Sequence, residues 1–239
     1  MGAVATALRL NTYEREYLGN LVHPPAPSPA PDTEVRPDLL RLMASIPDVP
    51  AHVSGRYGDL LAWNPMTALL LFDPSTFEPP RCTWPHVIFL HEPFRRLLDD
   101  ADWERLARQD VAYLRLCWSR NPGDSVLGEL LTELETHSEG FRRIWAEHEV
   151  ADWSSATYTF RHAEVGPIEL SIELMQSSGD REQWFVTYAV EPGSSSQAAL
   201  RRLRETPHPT PTNVTHVQPR RFQVVDAPMS SANFSIGGR

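Results

Sequence analysis

Residue types that commonly carry catalysis are sparse in this chain. His86 and His91 are five residues apart, so a helix would point them to different faces, and no Glu, Asp or Cys completes a zinc set. Gly123-Asp124-Ser125 superficially resembles a lipase nucleophile block, but there is no G-x-S-x-G elbow, and a turn that caps a helix explains it better. All 22 basic residues are arginine, which excludes lysine Schiff-base, P-loop and general-base chemistry. We therefore expect no enzyme, no metal and no cofactor.

A second set of side chains is suited to binding a small molecule. Trp63 and Asn64 end an apolar run, where they either contact a ligand or serve as core residue and helix N-cap, since Asn before Pro is a common helix start. Further along, Trp145 and His148 would share one helix face, with Arg142 three residues before Trp145. One arginine there could meet an anionic head group; the alternative is arginines that lie over aromatic surface. The ligand-binding candidates are Arg56, Trp63, Asn64, Arg142, Arg143, Trp145, His148 and His162.

Composition describes an ordinary soluble chain with one core and flanking segments. The 239 residues are 41% hydrophobic and 22% charged. No apolar run approaches the roughly 18 residues that span a bilayer, and the N-terminus lacks a secretory profile, so we expect a cytoplasmic protein. Cys82 and Cys117 lie outside any CxxC, and we expect two buried thiols. A net charge of −9 argues against DNA binding by phosphate neutralisation, so any DNA contact must come from elsewhere.

The residues 51–72 predict a hairpin followed by a capped helix. Val53 lies in the first strand, Tyr57-Gly58-Asp59 supplies the turn, and Leu60–Trp63 forms a second short apolar run. Asn64 then precedes Pro65, which is typical of a helix N-terminus. Strand, strand and capped helix is the order in which PAS-type sensor domains begin.

The rest of the chain predicts helices followed by strands. Asp99 or Asp100 starts a long helix that ends near Asn121, and further helices begin at the caps Asp124, Ser138 and Ser194. Strands follow the helix that begins at Ser138, at 158–162, 168–174 and 184–190, with a turn at 177–180. With the opening hairpin this makes about five strands. We predict an α/β (α+β) fold, a PAS-like antiparallel sheet flanked by helices, with one sheet face wetter than the other.

The segments on either side of the central domain are predicted to be two short helices, a linker and a disordered tail. Residues 1–22 predict two short helices, with Asn11 and Glu14 resembling a capping box. Residues 23–37 carry six prolines and predict a semi-rigid linker. Residues 38–205 form the predicted domain, and the segment 206–239 is predicted to be a disordered tail.

Five motifs in order resemble the MmyB-like ligand-binding domain, which is found behind a helix-turn-helix in bacterial XRE-family transcription regulators. The first is Gly55-Arg56 to Trp63-Asn64, with its Leu-Ala-Trp-Asn ending. The others are Asp102-Trp103-Glu104, the segment 141–148 (FRRIWAEH), Arg161-His162 with Val165-Gly166, and Glu191-Pro192-Gly193-Ser194 followed by Ala199-Leu200.

The resemblance implies a cavity for a fatty-acid-like or other mainly apolar molecule, and no enzyme. Residues 7–18 (ALRLNTYEREYL) resemble the last two helices of the family's helix-turn-helix domain, whose DNA-reading helices are missing from this sequence. Either the start is misassigned or the chain is a fragment, and DNA binding would need the absent part. A possible homodimer, or a stand-alone module that pairs with full-length relatives, is the alternative. A hydrolase that uses the same cavity with His148 or His162 as base is a further one.

Overall fold

Five strands form one antiparallel sheet in the computed structural model, which describes residues 6–26, 34–77, 82–177 and 180–206. The strands are β1 (Ala51–Ser54), β2 (Leu60–Trp63), β3 (Ala156–His162), β4 (Gly166–Ser177) and β5 (Asp180–Ala189). Their order across the sheet is β2-β1-β5-β4-β3, so the opening hairpin pairs with the last strand. A mixed α/β fold with a five-stranded antiparallel sheet and flanking helices confirms the predicted fold class.

Nine α-helices surround the sheet in the described part of the chain. They are α1 (Thr12–Val22), α2 (Pro37–Ser45), α3 (Pro65–Leu70), α4 (Trp84–Leu90), α5 (Glu92–Arg95), α6 (Asp100–Arg120), α7 (Ser125–His137), α8 (Glu139–Trp145) and α9 (Ser195–Glu205), with a 3-10 turn at Pro74–Thr76. The predicted N-caps are confirmed, because each side chain accepts a hydrogen bond from a backbone N–H of the first helical turn. These caps are Asp99, Asp124, Ser138 and Ser194.

The two faces of the sheet have different surroundings. Opposite residues of antiparallel strands share a face, and the pairs Ile172–Tyr188 and Leu174–Val186 lie on the face that packs against α4 and α6. On the other face, a smaller core beside β1 includes Met43 of α2. Beyond this core the same face is open, with Glu173 exposed on β4. One face is therefore wetter only along β3 and β4.

The N-terminal helix α1 packs against the long helix α6. Asn11 makes the predicted capping box, in which its side chain accepts from the Glu14 N–H and the Glu14 carboxylate accepts from the Asn11 N–H. Glu16 receives two hydrogen bonds from Arg120 of α6, at 2.7 and 3.0 Å. The start of the first predicted helix, residues 27–33 of the linker, residues 78–81, the turn residues 178–179 and the tail from 207 lie outside the described residues.

Candidate ligand-binding site

A cavity opens between the inner face of the sheet and the helices. The space between these walls is about 550 Å³ when the open mouth is counted. The sheet contributes residues at alternate positions, as a pleated strand requires when one face is turned inward. These residues are His52, Ser54, Phe160, Ile172, Leu174, Trp184, Val186 and Tyr188.

The opposite wall comes from helices and from the segment before β3. Trp84 and Ile88 belong to α4, Phe94 to α5, and Leu106 and Tyr113 to α6; Trp153 closes one side of the cavity. The rings of Trp153 and Tyr113 lie 5.9 Å apart. Most of the lining is apolar carbon, which suits a ligand that is itself largely hydrocarbon.

The rim is formed in part by the turn of the opening hairpin. Gly58 has φ near +85° and its carbonyl accepts from the Trp84 N–H at 2.9 Å. A Cβ at this position would lie 2.9 Å from Cδ of Pro85. Both the backbone conformation and this close approach require glycine, and they hold the hairpin turn against the start of α4.

The polar groups in the wall are mainly arranged in two hydrogen-bonded sets. In the first, the Trp84 indole N–H donates to Nε2 of His52 at 2.7 Å, and Nδ1 of His52 lies 3.5 Å from the Tyr188 hydroxyl. Burial lowers the pKa of His52 to about 3, because the charged ring would lose its hydration, so the ring is neutral at physiological pH. Burial also raises the pKa of Tyr188 well above its ordinary value.

In the second set, Tyr113 joins α6 to the hairpin. Its hydroxyl donates to the Arg56 carbonyl at 2.9 Å and receives the Trp184 indole N–H at 3.4 Å. Burial raises the pKa of this phenol as well. Both phenols therefore carry their protons, and neither hydrogen-bonded set carries a charge.

Asp110 lies on the same stripe of α6 as two cavity residues. It follows Leu106 by four positions and precedes Tyr113 by three, which places the three side chains on one helix face. Asp110 is 1% exposed, and its Oδ2 has no hydrogen-bond partner among the described residues. Burial raises its pKa to about 8. From the sequence, Asp110 could have been identified as a buried acid only by its position among the apolar residues of one helix face.

None of the eight side chains proposed from the sequence lines this cavity. Trp63 pairs with His52 and so lies on the inner face, but it is one strand further out and is 1% exposed. Asn64 caps α3, because its Oδ1 accepts from the Thr67 N–H at 3.1 Å. The same oxygen accepts from the Ala51 N–H at 3.1 Å.

Arg56 and His162 both have partners outside the cavity wall. The Arg56 guanidinium is buried and forms an ion pair with Glu182, although its backbone carbonyl faces Tyr113. Nε2 of His162 lies 3.1 Å from the Leu69 carbonyl, which joins the end of β3 to α3. A role of either residue in ligand contact stays a prediction.

The predicted helix face with Trp145 and His148 is wrong in one respect. Helix α8 ends at Trp145, and His148 follows it with φ near +60°, so the two residues do not share a helix face. Arg115 of α6 brings them together instead. Its guanidinium lies 4.0 Å from the Trp145 ring centroid, and its Nη1 is 3.2 Å from Nδ1 of His148.

The two arginines of α8 also bind within the chain. Arg142 donates to the Glu135 carbonyl at 2.6 Å, which satisfies the C-terminus of α7. Arg143 forms an ion pair with Glu104 of α6. Sequence reasoning missed the actual cavity residues, although the alternation of Trp184, Val186 and Tyr188 within a predicted strand is a signal that could have found three of them.

Other kinds of site find no support in the described ranges. These ranges contain no group of three or more His, Cys, Asp or Glu side chains placed to hold a metal ion. No helix among the described elements is long and apolar enough to cross a membrane. Both cysteines are buried, and burial raises the pKa of each thiol to about 12.

A five-stranded antiparallel sheet with an apolar cavity under its helices defines a ligand-binding domain. The family model of the MmyB-like transcription regulator ligand binding domain matches residues 35–203, and the chain belongs to this family. The match confirms the resemblance seen in the sequence and identifies residues 35–203 as a ligand-binding domain of the kind found in transcription regulators. A comparison with curated proteins gives no match.

Proposed function

We propose that this chain is the sensing part of a bacterial transcription regulator and that its cavity binds a mainly apolar, fatty-acid-like molecule. The observation that carries the proposal is the cavity itself, which is lined by three tryptophans and several aliphatic side chains. At about 0.8 kcal/mol per buried CH₂, a ten-carbon chain offers roughly 8 kcal/mol before association costs, which is enough for useful affinity.

Helix α6 provides a route from the cavity to the N-terminal segment. Leu106 and Tyr113 of α6 line the cavity, and Arg120 at its end binds Glu16 of α1. A ligand that shifts α6 would therefore act on α1. We propose that α1 passes this change to a helix-turn-helix domain, which would control DNA binding.

A pair of matched substitutions tests the cavity. Leu174 lines it, whereas the next residue on β4, Met175, points to the opposite face and is 46% exposed. Leu174→Trp should fill the space and weaken binding of a fatty alcohol or fatty acid by tenfold or more, about 1.4 kcal/mol, whereas Met175→Trp should leave affinity unchanged. Equal affinities for both variants and the parent protein, measured by calorimetry, would count against the cavity as the binding site.

The route through α6 needs its own measurement. We expect a bound ligand to change amide hydrogen exchange within α1 and the second half of α6. The change should disappear in the Leu174→Trp variant. Altered exchange confined to the cavity walls would leave the proposed transmission without support.

An interaction module is a second candidate because α1 keeps apolar side chains in solvent. Leu21 and Val22 are 54% and 50% exposed, and no residue of α1 is fully buried. This surface would suit a further protein domain or a second copy of the chain. Size-exclusion chromatography of the protein and of a Leu21→Glu variant tests it, since identical elution as a monomer would leave only the sensor proposal.

A further inference from the structure

The described part of the cavity wall contains no charged side chain. Among the described residues that form it there is no arginine, aspartate or glutamate, and the chain has no lysine. Arg56 lies next to the rim glycines in sequence, but its guanidinium is paired with Glu182. Asp110, on the same helix stripe as two wall residues, is neutral when protonated and repels anions when it is not. An anionic head group would therefore be desolvated here without a compensating cation, which is far more costly than burying a neutral oxygen.

In the hydrogen-bonded set around His52, the hydroxyl proton of Tyr188 is not donated to another described residue. An indole N–H is only a donor, so Nε2 of His52 must accept from Trp84. In the neutral ring the proton is then on Nδ1, which donates to the Tyr188 oxygen 3.5 Å away. Because Nδ1 already carries a proton, it cannot accept a hydrogen bond from the Tyr188 hydroxyl, and no other described residue accepts one from this hydroxyl. The Tyr188 hydroxyl thus keeps its proton for a further acceptor, and Tyr188 is one of the residues that line the cavity.

Two other hydroxyls of the wall have different situations. Tyr113 already donates to the Arg56 carbonyl at 2.9 Å. Ser54 lies on β1 opposite Trp184, and its hydroxyl is a further neutral polar group of a residue that lines the cavity. Neither supplies positive charge, so the polar end of an occupant can be matched by hydrogen bonds alone.

We infer that the cavity selects an uncharged apolar molecule with an oxygen acceptor, such as a long-chain ester, ketone or alcohol, and that the Tyr188 hydroxyl donates to that oxygen. This refines the proposed function and rests on it, because it assumes that the cavity is the ligand site. A fatty-acid-like chain fits the apolar walls. Its carboxylate does not fit them.

Four probes built on a chain of twelve carbons test the charge selection: methyl laurate, dodecanol, laurate and dodecylamine. The tryptophans of the wall report occupancy by fluorescence, and calorimetry at neutral pH gives the affinities. We expect the ester and the alcohol to bind at least roughly tenfold more tightly than laurate. Laurate binding as tightly as the alcohol overturns the inference, and tightest binding of the amine overturns it in favour of recognition by Asp110.

Variants then identify the donor. Tyr188→Phe should weaken ester and alcohol binding by roughly fivefold to tenfold, and by more than Ser54→Ala, which removes another hydroxyl of the wall. The reverse order would overturn the assignment of Tyr188. Because the comparison of probes uses the unaltered protein, the charge selection is tested even if Tyr188→Phe fails to fold.

The Leu174→Trp variant distinguishes the claim that the cavity is the ligand site from the claim that it selects an uncharged ligand. If all four probes bind equally and Leu174→Trp abolishes their binding, the cavity is the site and only the charge inference falls. If no probe binds, both the inference and the proposed function fall.

Discussion

Asp110 should make the fold less stable as the pH rises, which is opposite to the usual behaviour of a native carboxylate. The side chain is 1% exposed, its Oδ2 has no hydrogen-bond partner among the described residues, and burial raises its pKa from 3.8 to about 8. The folded chain therefore holds a proton that the unfolded chain has released. The resulting stability is fully present below pH 3.8 and is lost as the pH rises through about 8.

The magnitude follows from the separation of the two pKa values. About four pKa units correspond to roughly 6 kcal/mol of unfolding free energy over the whole window, and to roughly 4 kcal/mol at neutral pH. Asp110→Asn keeps the shape of the side chain but removes the titration. The unfolding free energy of the variant should therefore increase relative to that of the parent protein as the pH rises from about 4 to 8. At the upper end of this range the variant should be more stable by several kcal/mol.

Urea denaturation of both proteins across this pH range measures the difference. His52 acts in the other direction, because its pKa is lowered to about 3 in the fold, so its contribution is present above the ordinary value of 6.5 and is lost as the pH falls through about 3. That contribution is common to both proteins and cancels in the difference. A difference in unfolding free energy that stays constant with pH would refute the reasoning and would mean that Asp110 is ionised in the folded chain.

Two substitutions in the opening motif should affect stability rather than affinity. Trp63→Ala removes a fully buried ring and should cost about 3–5 kcal/mol of unfolding free energy, with unchanged ligand affinity in the folded fraction; weaker binding by a protein of parental stability would contradict this. Asn64→Ala leaves the N–H groups of Ala51 and Thr67 and the carbonyl of Val49 without their side-chain partner, and should cost about 2–3 kcal/mol in the same urea assay. A loss under about 1 kcal/mol would mean that water replaces these bonds.

The elements could be predicted because their causes are local. An Asp or Ser side chain caps the N–H groups two or three residues later, so Asp99, Asp124, Ser138 and Ser194 mark helix starts without knowledge of the fold. The alternation of apolar and polar residues in 168–174 likewise needs only the pleat of a strand. These patterns were enough to predict the fold class.

The site could be predicted only in part, because its walls meet through long-range packing. Trp63 was expected either to contact a ligand or to be a core residue, and its pairing with His52 puts it on the inner face, but the sequence does not say how far the cavity reaches along that face. His148 was expected on the helix of Trp145, yet that helix ends at Trp145 and Arg115 joins the two residues from α6. A contact of this kind has no local signal.

The motifs that identify the family hold the frame around the cavity. Asp102 accepts from the Thr159 N–H at 2.8 Å and so ties α6 to β3. Trp103 donates its indole N–H to the Ile88 carbonyl at 3.0 Å, and Glu104 forms an ion pair with Arg143, so the same motif also joins α4 and α8 to the long helix.

These frame residues do not touch the cavity, and the residues that line it belong mostly to other positions. Trp184 and Tyr188 lie within a strand that carried no motif, although their side chains form part of the wall. A family match based on the frame therefore predicts that a cavity exists and where it lies. If Tyr188 donates to the ligand as proposed, the choice of ligand depends on a side chain outside these motifs, and we expect members that share the motifs but differ at such positions to bind different molecules.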